Sequence, residues 1–363
     1  MLAEKFSSAL DLFKTKSPAL IGIDIASTSL KLVELSEAGK GAYRLERYAI
    51  EPLPRDVVTD GNIANLDQVA DALKRAWKRL GSRNRHVALA LPAAMVITKK
   101  IIVPSGQKEE DLELTVEAEA NQYIPFALDE VNLDFRVLGE APNNPDEVEL
   151  LIAASRKEKV EDRVAIAEAA GLRPRVMDVE SYATQEAFRL ITPSLPANGR
   201  DQNIALVDLG AHVTHFYVLR NHQFLFSRDQ AFGGNQLTLD IQRAFNLSPE
   251  EAESAKKNQG LPENYDSDVL QPFMETLTLE ITRALQFFFT STAYNQVDQI
   301  VLTGGCALLP GLDELVAKRA GVATVVGNPF ASMQVADRIR PRQLAQDAPL
   351  LTIATGLALR SFE

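Results

Sequence analysis

Two segments of this chain share one pattern, and together they restrict its possible folds more than any other feature. Residues 21–33 and 205–218 each contain an apolar run, an aspartate, a short turn of small residues and a second run with alternating apolar positions. The aspartates are Asp24 and Asp208. An apolar run that ends in a small polar turn is typical of a buried strand leading into a hairpin. We therefore expect two similar hairpins, one in each half of the chain.

A third element accompanies the second hairpin. Residues 301–312 run from an apolar strand through Gly304-Gly305 into a helical pattern. Small turn residues let backbone N–H groups approach phosphate oxygens, and an aspartate can hold Mg²⁺ through water. Each turn taken alone could be an ordinary polar hairpin. Two aspartate turns and a Gly-Gly turn together predict a nucleotide held between two similar domains.

Length and charge restrict the class of protein. A chain of 363 residues exceeds what one core usually supports, so two domains are expected. The net charge of −11 argues against nucleic acid as a partner. The single cysteine, Cys306, cannot form an internal disulfide, which fits a reducing cytoplasm. No run of about 18 apolar residues is present, so no membrane span is expected.

Alternating strand and helix patterns predict an α/β protein. Apolar spacing predicts a helix over 66–80 that ends at Gly81, and a helix over 108–122 capped by Ser105 or Gly106. Residues 2–14 carry apolar groups at helical spacing and predict an amphipathic helix. Residues 192–202 read as a linker.

Longer motifs make the resemblance specific. Residues 232–241, with Gly233-Gly234-Asn235, resemble a segment of bacterial actin homologues such as FtsA, in the sugar kinase/Hsp70/actin superfamily. Residues 252–256 resemble their Ala-Glu-x-x-Lys helix. Within that group the chain resembles the PilM family of type IV pilus assembly. The matching segments are the first hairpin, residues 122–126, residues 153–158 and residues 178–183.

The resemblance implies a two-domain actin-like ATPase fold of the α/β class, with an inserted subdomain of the kind called 1C. The expected division is an amphipathic segment over 1–18, domain 1A over 19–91 and 172–197, subdomain 1C over 92–171, and domain 2 over 198–345. Residues 346–363 are expected to return to domain 1A.

The implied ligand is ATP or ADP with Mg²⁺, the metal lying beside Asp24 and Asp208. The implied nucleotide-binding residues come from both hairpins, the Gly-Gly-Asn segment, the Glu/Lys helix and the Gly-Gly turn. They are Asp24, Ser27, Thr28, Ser29, Lys31, Asp208, Gly210, Thr214, Gly233, Gly234, Asn235, Glu253, Lys256, Gly304, Gly305 and Leu308. Glu180 aligns with a water-orienting residue of polymerising relatives, but a helix-start acidic residue favoured by the dipole is an equal alternative.

Two departures predict slow hydrolysis. Ala26 stands where the superfamily usually has glycine, and its Cβ would be strained if that position required a positive φ. The second turn, residues 211–214, is one residue longer and bulkier than in ATP-hydrolysing relatives. Efficient hydrolysis needs pre-organised phosphate contacts. His212 and His215 read as exposed or satisfied strand residues, and Cys306 as a small buried side chain.

The resemblance also implies a role. The chain is expected to be a cytoplasmic adaptor at the inner-membrane face that binds the N-terminal cytoplasmic peptide of PilN in a groove between 1A and 1C. Other pilus inner-membrane and motor components are further expected partners. Candidate peptide contacts are Tyr123, Ile124, Pro125 and Phe126. A small-molecule kinase or phosphatase of the same superfamily and an FtsA-like filament former are the alternatives.

Overall fold

The computed structural model describes residues 19–39, 41–142, 144–258 and 260–362. The amphipathic helix predicted over 2–14 lies outside these residues. The strands, in chain order, are β1 (Ile21–Ile25), β2 (Ser29–Gly39), β3 (Ala42–Pro52), β4 (Val58–Thr59), β5 (Asn62–Ile63), β6 (His86–Leu91), β7 (Ile97–Pro104), β8 (Val131–Ala141), β9 (Asn144–Arg156), β10 (Arg173–Val179), β11 (Ile204–Leu209), β12 (Thr214–Arg220), β13 (Gln223–Gln230), β14 (Gln299–Thr303), β15 (Thr324–Val326) and β16 (Gln334–Val335).

The helices alternate with these strands, as the sequence predicts for an α/β protein. They are α1 (Leu66–Leu80), α2 (Glu109–Tyr123), α3 (Lys157–Ala169), α4 (Glu180–Ile191), α5 (Gly234–Phe245), α6 (Pro249–Asn258), α7 (Gln271–Ser291), α8 (Leu312–Ala320), α9 (Pro341–Asp347) and α10 (Thr352–Leu359). Short 3₁₀ turns and one π turn fill several of the connections. Among the described residues, no helix is both long and apolar enough to cross a membrane.

The two main sheets repeat one arrangement. The first has the order β10-β6-β1-β2-β3-β16 and the second β13-β12-β11-β14-β15. In each, the strand that carries the aspartate pairs antiparallel with the next strand and parallel with a later one. Both aspartates therefore lie at the carboxyl end of a central strand, next to a hairpin turn. The two similar hairpins expected from the sequence are confirmed.

Helices cover both faces of each sheet, which explains why the central strands are apolar along their length. In the first sheet α1 and α3 pack on one face, and the elements after residue 330 pack on the other. In the second sheet α5, α7 and α8 cover one face. Its other face packs against α4 and Leu195. The predicted helix over 66–80 has these bounds, and Gly81 ends it in the left-handed conformation.

A small antiparallel sheet, β7-β9-β8, is inserted between β6 and α3. Helix α2 covers one face through Val116 and Ala120. This helix begins at Glu109, after Lys108, and no side chain caps it. The predicted capping by Ser105 or Gly106 is wrong, because the helix begins later than expected: Lys108 precedes its first residue, and Ser105 and Gly106 lie three and two residues before Lys108. The assignment of this insert to a 1C-type subdomain stays a prediction.

The end of the chain completes the first sheet. Gln334 pairs with Arg44 of β3, so the chain rejoins this sheet well before the expected residue 346. Helix α10 then lies in backbone contact with β1 and α4. A Cβ on Gly22 would stand 1.9 Å from the Ala354 carbonyl oxygen, and one on Gly356 would stand 1.7 Å from that of Ala183. Only glycine fits at these two positions.

Candidate functional site

Three carboxylates gather where strands of both sheets end. Asp24 lies near the end of β1, Asp208 near the end of β11, and Glu180 directly follows β10. Burial raises the pKa of the Glu180 carboxyl to about 7, and the charges of Asp24 and Asp208 contribute to the rise. The three carboxylates therefore interact electrostatically across the cleft between the two sheets. The structure brings the three predicted acidic residues into one site.

Asp24 is the most buried of the three, with 3 % of its surface exposed. Its Oδ2 accepts a hydrogen bond from the Lys31 ammonium at 2.8 Å, because the two residues face each other across the β1–β2 hairpin. Its Oδ1 is buried and has no hydrogen-bond partner among the described residues. A buried oxygen without a partner is costly, so a water bound to a metal ion would fit this position.

The first turn leaves hydroxyl groups available. The backbone of Thr28 and Ser29 bonds to Leu53 and Ala26, but no hydroxyl of Ser27, Thr28 or Ser29 bonds to another described residue. Ala26 does not have a positive φ. The strain that an alanine was expected to introduce at this turn therefore does not arise, and the turn remains compatible with a phosphate.

In the second hairpin, the polar side chains are held by hydrogen bonds within the protein. The Thr303 hydroxyl donates to Asp208 at 3.1 Å. Burial raises the pKa of the Asp208 carboxyl, while His215 and Lys31 oppose that rise. The Thr214 hydroxyl is buried and donates to the Phe232 carbonyl at 2.8 Å. This hydroxyl anchors the turn to the chain before α5, and the expected contact of Thr214 with the nucleotide stays a prediction.

The Gly233-Gly234-Asn235 segment packs directly on that turn. The N–H groups of Gly234 and Asn235 donate to the carbonyls of Gly210 and Ala211 at 3.0 and 2.8 Å. A Cβ on Gly233 would stand 2.5 Å from the Gly210 oxygen. These glycines allow helix α5 to approach the turn closely. The amides at its start are consequently used within the protein.

The predicted Glu/Lys helix forms a polar cluster with a third residue. Glu253 Oε2 lies 2.6 Å from the Lys256 ammonium. The Thr238 hydroxyl lies 3.0 Å from that carboxylate and 2.8 Å from that ammonium. Thr238 was not among the expected site residues, although it stands in the same motif four residues after Gly234. The cluster fixes α6 against α5 on the second-sheet side of the cleft.

The two glycines of the Gly-Gly turn have different surroundings: Gly304 is packed against the second hairpin, whereas Gly305 borders open space. Gly304 has φ +81°, and a Cβ there would stand 2.7 Å from Asp208 Oδ1 and 2.5 Å from the Leu209 oxygen. A Cβ on Gly305 would meet nothing within 4 Å. Leu308, also predicted to line the nucleotide site, is 39 % exposed. Space therefore exists beside Gly305 and Leu308 for a ligand.

His215 is a site residue that the sequence did not reveal. It stands opposite Asp208 on β12, and its Nδ1 lies 2.7 Å from Asp229 Oδ1. Burial alone would lower the pKa of this imidazole, but the Asp229 hydrogen bond and the charges of Asp208 and Glu180 raise it to about 9. The protonated ring partly offsets the negative charge of the cleft. The sequence alone does not show this, because strand pairing places His215 between Asp208 and Asp229, and only the tertiary fold brings Glu180 near.

His215→Gln is expected to remove a pH dependence of stability. Because the folded pKa of about 9 exceeds the usual 6.5, protonation stabilises the fold fully below about 6.5, and this is lost as the pH rises through about 9. This difference between the folded and the usual pKa corresponds to on the order of 3 kcal/mol in the free energy of unfolding. The effect of Glu180 on stability changes with pH only between its usual pKa of 4.5 and its folded pKa of about 7, which is below the pH range that tests His215. Thermal melts between pH 7 and 10 should fall less steeply for the variant than for the wild type.

Protein side chains alone do not form a metal site in the described part of the chain. No group of three or more His, Cys, Asp or Glu residues there could hold an ion. Mg²⁺ would accordingly need phosphate oxygens and water to complete its coordination. Asp24, with its unpartnered oxygen, and Asp208 remain the residues best placed to bind such waters.

The four predicted peptide contacts lie at the end of α2 and directly after it, in the insert. Ile124 is buried in the cluster between α2 and the sheet. The Tyr123 ring lies 4.0 Å from the Lys99 ammonium, and the Phe126 ring lies 4.0 Å from the Arg156 guanidinium. Pro125 is exposed. Tyr123 and Ile124 thus contribute to the core of the insert, whereas Pro125 and part of Phe126 reach its surface.

The paired sheets, the acidic strand ends and the Gly-Gly turn define an actin-like ATPase fold with a small inserted sheet. A solved ethanolamine utilization protein, EutJ from Carboxydothermus hydrogenoformans, shares this fold at 18 % identity and a TM-score of 0.57, over 99 % of both chains. The chain matches the family described as type IV pilus assembly protein PilM over residues 22–362, and it belongs to that family.

Two further likenesses agree with this assignment. A solved structure described as a PilM-PilN type IV pilus biogenesis complex is 31 % identical, with a TM-score of 0.79, covering 96 % of this chain and 99 % of that one. The cell division protein FtsA of Enterococcus hirae is 25 % identical over 352 residues, covering 85 % of this chain and 77 % of the relative. The PilM and FtsA resemblances read from the sequence are confirmed.

Proposed function

We propose that this chain is a nucleotide-binding adaptor of the type IV pilus inner-membrane assembly complex. It binds ATP or ADP in the cleft and the cytoplasmic N-terminal peptide of a PilN protein on the inserted sheet. The observation that carries the proposal is the likeness, over nearly the full length of both chains, to the PilM-PilN complex. The protein itself lies in the cytoplasm at the inner-membrane face, held there through its partner.

The nucleotide part of the proposal rests on the cleft. The free hydroxyls of the first turn face the phosphates, and Asp24 and Asp208 hold the waters of Mg²⁺. Gly305 and Leu308 adjoin the open space on the adenosine side, next to the cluster of Glu253 and Lys256. When bound, the metal neutralises phosphate charge. The protein's own contribution is to position the phosphates and to limit the repulsion among its carboxylates through Lys31 and His215.

Hydrolysis in this cleft is slow. The Thr214 hydroxyl and the first amides of α5 are used within the protein, so they do not pre-organise phosphate oxygens. Glu180, with its pKa raised to about 7, is a weak candidate for orienting water. The nucleotide therefore acts chiefly as a ligand that joins the two sheets across the cleft, and its binding sets the adaptor's conformation.

The peptide part of the proposal concerns the surface near Pro125 and Phe126. Phe126 is half-buried: its ring packs against the core of the insert and lies 4.0 Å from the Arg156 guanidinium, so a partner would contact the part of the side chain that stays exposed. An extended peptide there binds by apolar anchors and main-chain hydrogen bonds. We propose that 1A, 1C and domain 2 correspond to the three sheets.

Phe126→Ala is expected to weaken binding of the partner's cytoplasmic peptide by at least about tenfold, because an aromatic anchor contributes on the order of 2 kcal/mol. Fluorescence titration with the labelled peptide measures this. Leu114→Ala is the matched control, since Leu114 is a 66 % exposed apolar residue on the same insert and is not among the proposed contacts. ATP affinity should be unchanged in both. Full-strength peptide binding by a folded Phe126→Ala protein would place the docking site elsewhere.

A further inference from the structure

One end of the first sheet concentrates positive charge, although the whole chain has a net charge of −11. Residues 74–85 contain six lysines and arginines and no aspartate or glutamate. They form the last turns of α1 and the connection to β6. This density of like charge is unusual within an acidic protein, and the fold adds further cations to it.

Strand pairing brings these residues together at the amino ends of β1, β6 and β10. The Arg173 N–H donates to the Arg85 carbonyl at 2.8 Å, and the Asn84 side chain donates to the Ala19 carbonyl. Ala19, Arg85 and Arg173 therefore lie side by side. The carboxylates of the cleft stand at the opposite, carboxyl ends of the same strands. The cation cluster is thus separate from the proposed nucleotide site.

Ion pairs within the protein do not account for this charge. Lys74 pairs with Asp71, and both Arg75 and Arg79 pair with Glu51. Lys78, Arg83, Arg85 and Arg173 are exposed and form no ion pair with another described residue. We call these four residues the basic end. The helix dipole favours a lysine in the last turn of α1, but Arg83, Arg85 and Arg173 lie beyond that helix.

We infer that the basic end binds the surface of an anionic lipid bilayer directly, in addition to any link through a partner protein. Four cations at one end of a domain, none of them in an ion pair with another described residue, match the negative potential of anionic headgroups, which attract each nearby lysine or arginine.

The test compares charge reversal at two corresponding places. Lys78→Glu/Arg83→Glu/Arg173→Glu alters the basic end and leaves Arg85, whose guanidinium lies over Trp77, in place. Arg200→Glu/Lys318→Glu/Arg319→Glu makes the same charge change near the amino ends of the second sheet, where these three residues are exposed. Both full-length variants are mixed with phosphatidylcholine vesicles containing or lacking about 30 % phosphatidylglycerol and sedimented.

The wild type and the control variant should sediment with the anionic vesicles and not with the neutral ones. The basic-end variant should bind at least tenfold less. Binding should disappear at about 0.5 M salt, where such charges are screened. Circular dichroism and titration with the partner's peptide should be unchanged in both variants, which keeps this result independent of the proposed function. Equal sedimentation of the two variants, or no wild-type sedimentation with anionic vesicles, would overturn the inference.

Discussion

Gly305→Val should reduce ATP affinity by at least about a hundredfold, or on the order of 3 kcal/mol, without unfolding the protein. The substitution is compatible with the fold because a Cβ at Gly305 meets no atom within 4 Å and the residue does not have a positive φ. The valine side chain fills the open space in which the proposed nucleotide lies. Equilibrium dialysis with labelled ATP measures the loss.

Gly304 provides the contrasting variant. Gly304→Ala is expected to lower the melting temperature, because φ is +81° and the new Cβ would stand 2.5 Å from the Leu209 oxygen. A substitution there disturbs the turn itself and cannot separate binding from folding. If Gly305→Val keeps both its fold and its full ATP affinity, the nucleotide does not lie beside the Gly-Gly turn.

Asp24→Ala should destabilise the protein by on the order of 3 kcal/mol, because it leaves the Lys31 ammonium buried without its 2.8 Å partner. The same change should abolish the Mg²⁺ dependence of ATP binding. Thermal melts without nucleotide measure the first effect, and ATP titrations with Mg²⁺ or EDTA measure the second.

The double variant Asp24→Ala/Lys31→Met separates the two effects. Removing the ammonium as well should restore most of the lost stability, since no charge is then left unpaired in the buried hairpin. It should not restore metal-dependent ATP binding. A double variant that binds ATP with a normal Mg²⁺ requirement would show that Asp24 serves the hairpin and not the metal.

Local patterns were sufficient for much of the fold. The apolar spacing of α1 and the glycine after it predicted that helix to its observed bounds. The two aspartate hairpins were predicted from short segments, each with an apolar run, an aspartate, a turn of small residues and a second run with alternating apolar positions. Asp24 and Asp208 could be named as candidates because an aspartate at the end of an apolar strand is visible within a few positions, whereas Lys31 was implied by the family resemblance. Their contact with a nucleotide stays a prediction.

The remaining features depend on pairings between distant residues. His215 reads as an ordinary strand residue until β12 and β13 place it beside Asp208 and Asp229. The use of the Thr214 hydroxyl by Phe232, and the early return of Gln334 to the first sheet, are likewise set by tertiary structure. A local helix cap at Ser105 was the natural expectation, but the helix begins only at Glu109, and the Ser105 N–H bonds to the Asp146 carbonyl on a distant part of the chain.

The close seating of α10 affects how the chain folds during synthesis. Domains generally fold as units, with the earlier one forming first as the chain leaves the ribosome. Here the first sheet lacks β16 and α10 until translation has passed the entire second sheet, whose strands all lie between Ile204 and Val326. The second sheet can therefore complete its core first. The opening hairpin, whose Gly22 allows α10 to pack closely, stays with an apolar face uncovered until that helix is made. We expect nascent chains to depend on chaperones during that interval.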